Sequence, residues 1–399
     1  MPADQFERMR DILAAPSPVG FEAAMTHGVL EPYFRSFMPD SWTIHRYRGN
    51  GGIVLDTHPG RDDLFTVMVV GHADKIRMQV RHIGDDGKVW IDSDSFLPCC
   101  LLGHDVVLYS EDPKRPGTYR ALRGGTVEAI GAIHFADARV RSGEAGIKPA
   151  QLYLELQIFG EDRRGQIERL GIRPGDPIIL DRPIRPGFTP ETFYGAYLDN
   201  GLGCFVAAEV ARLVAERPLK NVRVLAAAAA WEEIGRMGSR VLAGVHRPDA
   251  LIAVDVNHDF VAAPGVTEKR FPPLSMGKGF TLSNGAIVSE QLNSIIAAAS
   301  DGAGIPWQRC VTGRDTGTDA MAGVFAGIDC AATSIGFPIR NMHTISETAC
   351  TGDVLASIHG IFAALERMDG WNEGTGIRPD DLRDGHPRLD RAEKLTSVK

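Results

Sequence analysis

The chain has 399 residues, 44% of them hydrophobic and 24% charged, with a formal net charge of -8. That length admits two domains or one large enzyme core, and the fractions are those of an ordinary soluble protein. The acidic balance excludes the clustered basic face of a nucleic-acid binder, and no apolar run reaches membrane-spanning length.

The first segment, "MPADQFERMRDILAA", carries acidic residues and no continuous apolar stretch, so it does not read as a signal peptide. Phe6, Met9, Ile12 and Leu13 recur at helical spacing and end in the break "SPVG". A second helix is expected over residues 21–37. Strands follow, among them "DLFTVMVVGHAD", whose apolar core from Val67 to Val70 suits a strand buried on both faces. From about residue 80 to 188 the pattern changes to short strands and turns: "GKVWID", "DVVLYS", "GTVEAIGAIHF", "AQLYLELQIFG" and "GDPIILDR". After residue 190 helices are expected over 200–216, 236–244, 288–301, 317–325 and 350–367. Strands are expected over 222–230, 250–256, 306–311 and 331–336. Repeated βα units of this kind predict an α/β fold with a mainly parallel sheet flanked by helices. One domain is therefore expected from residues 1–79 and 190–370, interrupted by a β-rich insertion over 80–189, with an irregular tail at 371–399. Six cysteines without a CxxC, two of them the adjacent Cys99 and Cys100, point to a reducing compartment, the cytoplasm.

Five sites stand where an apolar strand runs out into a loop. "VVGHAD" carries His72 and Asp74, "YLDNGLG" Asp199, "WEEIG" Glu232 and Glu233, "LIAVDVNHD" Asp255, and "RNMHTISE" His343 with Glu347 four residues on. Each has an ordinary reading: a surface histidine, a helix cap, a solvated Glu-Glu turn. His58, His82, His104, His246, His258, His359 and His386 keep that reading. The five sites together do not, because ligands in open α/β sheets bind outside the carboxyl ends of the strands. Adjacent carboxylates after the alanine run repel each other unless a multivalent cation joins them. Carboxylate and imidazole ligands suit zinc, manganese or cobalt, whereas calcium has no need of histidine. "GRDTGTDA" lacks the Gly-Lys-Ser/Thr ending of a phosphate loop, and no GxSxG elbow offers a serine nucleophile.

With "GHADKI", "LDNGLG", "EEIGRMGS", "VDVNHD", "TGTDA" and "PIRNMHTISE" in this order, the chain resembles the co-catalytic metalloaminopeptidases of the tetrahedral (TET) type, the glutamyl and leucyl aminopeptidase family, over most of residues 5–368. "LGIRPGDPIIL" is similar to the end of that family's inserted barrel-like domain, which builds the oligomer. The resemblance implies a zinc-peptidase-like fold, a homo-oligomer, and one or two divalent ions per subunit (Mn, Zn or Co). It makes Asp199 the bridge between two metals, with His72 and Asp255 completing one site and Glu233 and His343 the other. Glu232 becomes the general base, and Asp74 orients His72 from behind. Metal so held polarises a carbonyl and lowers the pKa of water towards ~7, and a neighbouring carboxylate moves the proton. The implied reaction is hydrolysis of a C–N bond, most simply release of N-terminal residues from short peptides. The family usually carries an acidic residue and a small one where Lys75 and Arg77 stand, and an arginine where Gly201 stands. These departures raise an alternative, hydrolytic deamination of a carboxylated aromatic amine, as in the related 5-nitroanthranilate aminohydrolase, with Arg77 pairing the substrate carboxylate. A second alternative is a non-catalytic assembly protein, which the spare carboxylate of Glu232 opposes.

Overall fold

The first apolar runs build one edge of a large sheet. After the helix Ala3–Ala14, the expected second helix forms in three pieces, Ala23–Met25, a wide π turn at Thr26–Leu30, and Glu31–Phe37. Strands β1 (Thr43–Arg46), β2 (Ile53–Asp56) and β3 (Phe65–His72) follow. The chain then leaves that sheet. Strands β4 (Met78–Ile83), β5 (Val89–Asp92), β6 (Asp105–Glu111), β7 (Tyr119–Glu128), β8 (Tyr153–Glu155) and β9 (Pro177–Leu180) close a barrel in the order β4-β5-β8-β7-β6-β9. Strands β10 (Arg185–Pro186) and β11 (Thr192–Gly195) lead back to β12 (Val222–Ala229), β13 (Ala250–His258), β14 (Phe280–Asn284), β15 (Trp307–Val311) and β16 (Ala331–Ile339), and β17 (Glu347–Cys350) then pairs with β11. This computed structural model describes residues 1–371, except Asp94, Thr267, Glu268 and Arg270, together with Leu382. The expectation for the tail lies, apart from Trp371 and Leu382, outside the described residues, as does His386.

The main sheet has the order β1-β2-β12-β3-β13-β16-β14-β15. β3 pairs in parallel with β12 and β13, β13 with β16, and β14 with β15. The antiparallel pairings lie towards the flanks, at β1/β2, β2/β12 and β14/β16. The sheet is mainly parallel, as the βα alternation requires. Strand β14 escaped the sequence reading because "FTLSN" is short and mixes polar with apolar residues, although all five of its residues are buried. The expected helix over 317–325 resolves into a 3-10 turn, Asp319–Met321, and a single helical turn, Ala322–Phe325.

Burial on both faces explains the apolar runs. Val67 and Val69 join the core beneath the long helices, while Met68 and Val70 join the smaller core on the opposite face. All eight residues of the alanine-rich β12 are likewise buried. Each buried Val or Leu side chain is worth about 1.5–3 kcal/mol of transfer free energy, so these strands anchor whatever hangs from their ends. The barrel has its own apolar core, which includes Val89, Ile91, Leu108 and Leu154. Among the described residues no helix is long and apolar enough to cross a membrane.

One contact ties this frame to chemistry. The helix Leu198–Glu216 lies against β3 so closely that a Cβ added at Gly71 would fall 2.3 Å from the carbonyl carbon of Gly203. A Cβ at Gly203 would fall 2.3 Å from the oxygen of Val254 on β13. Two residues without side chains thus bring the start of the helix, with Asp199, beside His72 and Asp255. Gly71→Ala should therefore lower stability by about 1–3 kcal/mol or more, read as a shift of the urea midpoint, and should reduce divalent-cation uptake by the folded fraction. An unshifted midpoint would show that the helix backs away freely.

Candidate metal centre

Strands β3, β12, β13 and β16 run out at the same edge of the sheet, where their parallel register places them side by side. His72 is the last residue of β3 and is 2% exposed. Its Nδ1 lies 3.1 Å from the main-chain oxygen of Asp74 and 3.5 Å from Oδ1 of the same residue. With Nδ1 turned to those acceptors, Nε2 faces the other way. There it meets Asp199 Oδ1 at 3.1 Å and Glu232 Oε2 and Asp255 Oδ1 at 3.8 Å each.

The paired glutamates follow β12 in a tight turn that Trp231 enters with φ 60°. The carbonyl of Glu232 closes this turn by accepting from the N–H groups of Gly235 and Arg236 at 2.9 and 3.0 Å. Asp74, wholly buried, accepts from the main-chain N–H of Glu232 at 3.1 Å and of Glu233 at 3.0 Å. The structure thus links Asp74 to the Glu-Glu turn as well as to His72. The two side chains of the turn then diverge. Glu232 lies between His72 and Arg236, whose Nε is 3.9 Å from its Oε1, and Glu233 Oε1 is buried with no hydrogen-bond partner among the described residues.

Asp199 and His343 arrive from opposite ends of the sequence. Asp199 precedes the regular part of its helix, with φ -77° and ψ 111°. His343 follows β16 with φ 59°. Asp199 Oδ2 lies 3.2 Å from Nε2 of His343, while its buried Oδ1 lies 3.1 Å from Nε2 of His72 and makes no hydrogen bond among the described residues. Glu347 holds both segments through their main-chain N–H groups. Sequence reasoning noted Glu347 without a role and missed Asp319, although both stand in the quoted motifs "TISE" and "TGTDA". Asp319 accepts from Ser239 Oγ, and its buried Oδ2 has no hydrogen-bond partner among the described residues.

The electrostatics state what is missing. Burial, reinforced by neighbouring carboxylates, pushes Glu232 up to about 8 and Glu233 up to about 10. Burial also raises Asp255 well above the usual carboxylate range and Asp319 to about 6. Asp199 is the exception: burial raises it, but the imidazoles of His343 and His72 prevail and hold it below the ordinary range. Burial opposes a charge on His72, yet the carboxylates of Asp199 and Asp74 raise it well above the ordinary value. A bound cation inverts this logic, because it supplies the positive charge that the carboxylates otherwise take from protons. Nε2 of His72 and oxygens of Asp199 and Glu233 lie within 4.8 Å of one another, and two of those residues carry a partnerless buried oxygen. The donor set fits a divalent metal. The cluster forms the floor of a cleft of about 400 Å³, walled by Phe260, Phe271, Cys310 and Met342.

Comparison with known proteins identifies the family. The M42 glutamyl aminopeptidase family matches residues 51–359, more than half of the chain. The chain belongs to this family. It is a metal-dependent aminopeptidase, a hydrolase. Lysyl aminopeptidase of Pyrococcus furiosus is 28% identical over 306 residues, covering 76% of this chain and 82% of that protein. The TET aminopeptidase from Thaumarchaeota archaeon SCGC AB-539-E09 superposes with a TM-score of 0.80 at 21% identity, covering 92% of this chain and 98% of that one. The Pyrococcus horikoshii TET1 peptidase, described as assembling into a tetrahedron or a large octahedral shell, gives 0.70 at 19% identity over 90% of this chain and 98% of that one.

The departures from the family's usual residues act on packing. Lys75 of this aminopeptidase, 2% exposed, donates to the carbonyls of Leu13 (2.7 Å) and Ala15 at the end of the first helix. A Cβ at Gly201 would lie 2.7 Å from Leu13 Cδ2, so glycine makes room for the same helix. Arg77 does not join the cluster. Its guanidinium donates to Val19 O at 2.9 Å and Gln79 Oε1 at 2.8 Å, and it does not line the cleft. The expectation that Arg77 reaches the cleft mouth is therefore not met: Arg77 lies in the link between β3 and β4, where Val19 and Gln79 hold its guanidinium. With both cations engaged elsewhere, the deaminase alternative loses the feature that raised it, and the family match does not favour the non-catalytic one.

Asp74→Asn would leave one acceptor oxygen for the two N–H groups of Glu232 and Glu233. Stability should fall by about 1–3 kcal/mol, the usual cost of stranding a buried donor, in urea titrations of the metal-free protein. An unchanged midpoint would mean that the turn holds its shape without the carboxylate.

Proposed function

We propose that the chain removes N-terminal residues from short peptides, with Asp199 shared between two divalent cations. In this reading His72 and Asp255 complete one metal site, Glu233 and His343 the other, and Asp74 holds both His72 and the Glu-Glu turn. The observation that carries it is the carboxylate of Asp199, set between the Nε2 atoms of His72 at 3.1 Å and His343 at 3.2 Å. Manganese, zinc and cobalt all suit such oxygen and imidazole donors. Two cations there would polarise the scissile carbonyl and ease the ionisation of water. Glu232, adjacent in sequence and in space, takes the proton of the attacking water and returns it to the amine nitrogen as the C–N bond breaks.

The adjacent glutamates give the reading its sharpest test. Chelation should abolish release of amino acids from aminoacyl p-nitroanilides, and Mn, Zn or Co should restore it. Glu232→Gln should lower turnover by about 10²–10⁴-fold with metal content kept, whereas Glu233→Gln should lower metal content, measured by elemental analysis. Equal metal loss in both variants would merge the two roles.

The same reading makes the protein a homo-oligomer joined through the barrel, within the cytoplasm, where its free cysteines stay reduced. Support comes from the relative that assembles into closed shells. It comes also from Ile133, Phe135 and Phe159, which are 61%, 91% and 83% exposed on the loops flanking β8. Large apolar side chains exposed to this degree favour a contact surface where they lie together. Phe135→Asp with Phe159→Asp should reduce the mass found by light scattering, and an unchanged mass would free the barrel from that role.

A further inference from the structure

Glu347 opens β17, is 2% exposed, and does not line the cleft. Its two oxygens face three main-chain N–H groups from segments far apart in sequence. Oε1 accepts from His343 at 2.7 Å, and Oε2 accepts from Leu198 at 2.6 Å and Asp199 at 3.3 Å. We propose that Glu347 is a positioning residue that sets Asp199 and His343 at their mutual spacing. The proposal rests on the reading of those two residues as metal ligands.

Three observations carry it. Both ligand segments are irregular, so local propensity does not hold them. Tyr197 and His343 have φ 67° and 59°, and Asp199 and Asn200 depart from helical angles. Non-glycine residues in such conformations persist only where their surroundings over-determine them.

The carboxylate is itself fixed by pairing. Glu347 stands opposite Gly195 in the β17/β11 ladder, two residues before Tyr197 and four before Asp199. Thr348 exchanges two main-chain hydrogen bonds of 3.0 Å with Arg340, which closes the loop that carries His343. Glu347 thus stands at the junction of the two loops that deliver the ligands.

The chemistry of the group is equally restrictive. A carboxylate is an acceptor through both oxygens, and here each oxygen serves a different segment. Glutamine has the same reach but only one acceptor oxygen, and would turn an NH₂ group towards main-chain N–H donors. Aspartate keeps both acceptors and falls short by one methylene.

The test uses the full chain stripped of metal and titrated with Co²⁺, followed by visible d–d absorption. Thermal unfolding of the metal-free form is measured alongside. E347Q should weaken Co²⁺ uptake by about 10–100-fold and alter the d–d band, and the metal-free form should still fold, with its unfolding temperature lowered by the stranded N–H donors. E347D should weaken uptake less. At saturating Co²⁺ the KM for leucine p-nitroanilide should hold within about threefold while kcat falls, because the substrate does not touch Glu347. A Co²⁺ titration of folded E347Q that superimposes on wild type would overturn the proposal and leave the ligand assignment standing. Absence of Co²⁺ uptake by the wild-type chain would overturn the ligand assignment and this proposal with it. If E347Q does not fold, E347D decides on the same readouts. Recovery of neither variant in folded form would assign Glu347 to fold stability and likewise overturn the proposal.

Discussion

Buried negative charge lacking a partner is the constraint around which this site is arranged. Asp199, Glu232, Glu233 and Asp255 converge within a few ångströms of His72, and most of them are pushed towards the protonated form by burial and by one another. A cluster of this kind opposes folding if left ionised, because an unpaired buried charge costs several kcal/mol. The arrangement makes physical sense as one half of an ion pair whose other half is a divalent cation, and the family to which the chain belongs is metal-dependent.

The rest of the frame delivers the cluster. Parallel strands bring the residues that follow them to one edge, and glycine-to-backbone contact between β3 and the helix Leu198–Glu216 sets the helix start beside His72. Irregular segments then present the side chains, and two buried carboxylates receive the main-chain N–H groups of those segments. Asp74 does so for the Glu-Glu turn and Glu347 for the Asp199 and His343 loops. The same device appears on both sides of the cluster: a buried acidic side chain holds the backbone of residues that present their side chains to it.

The residues that set this chain apart from its family's usual pattern work at a distance from the cleft. Lys75 and Gly201 converge on Leu13, one by donating to its carbonyl and the other by leaving space for its side chain. Burying the ammonium of Lys75 is costly, and pulls it down to about 7. Its two hydrogen bonds to carbonyls of the first helix offset part of that cost. Changes that look chemical in the sequence, such as a cation directly after the His72 and Asp74 pair, are architectural in three dimensions.

Sequence by itself determined the fold class, because the apolar runs of β3, β12 and β13 and the helices between them carry their periodicity in plain view. It also marked the candidate sites, since His72 with Asp74, Asp199, Glu232 with Glu233, Asp255, and His343 with Glu347 stand where apolar runs end, and the family resemblance assigned roles among them. Strand β14 was not legible, because its burial comes from neighbours on both faces while its own pattern is mixed. The destination of Arg77 and Lys75 was not legible either, since a long side chain chooses among partners that only the fold brings near. Nor did spacing reveal that Asp74 and Glu347 serve backbone N–H groups 148–159 residues away. Hydrogen bonds between distant segments leave no periodic trace in a sequence, so the tertiary structure alone decided how the clustered side chains are held.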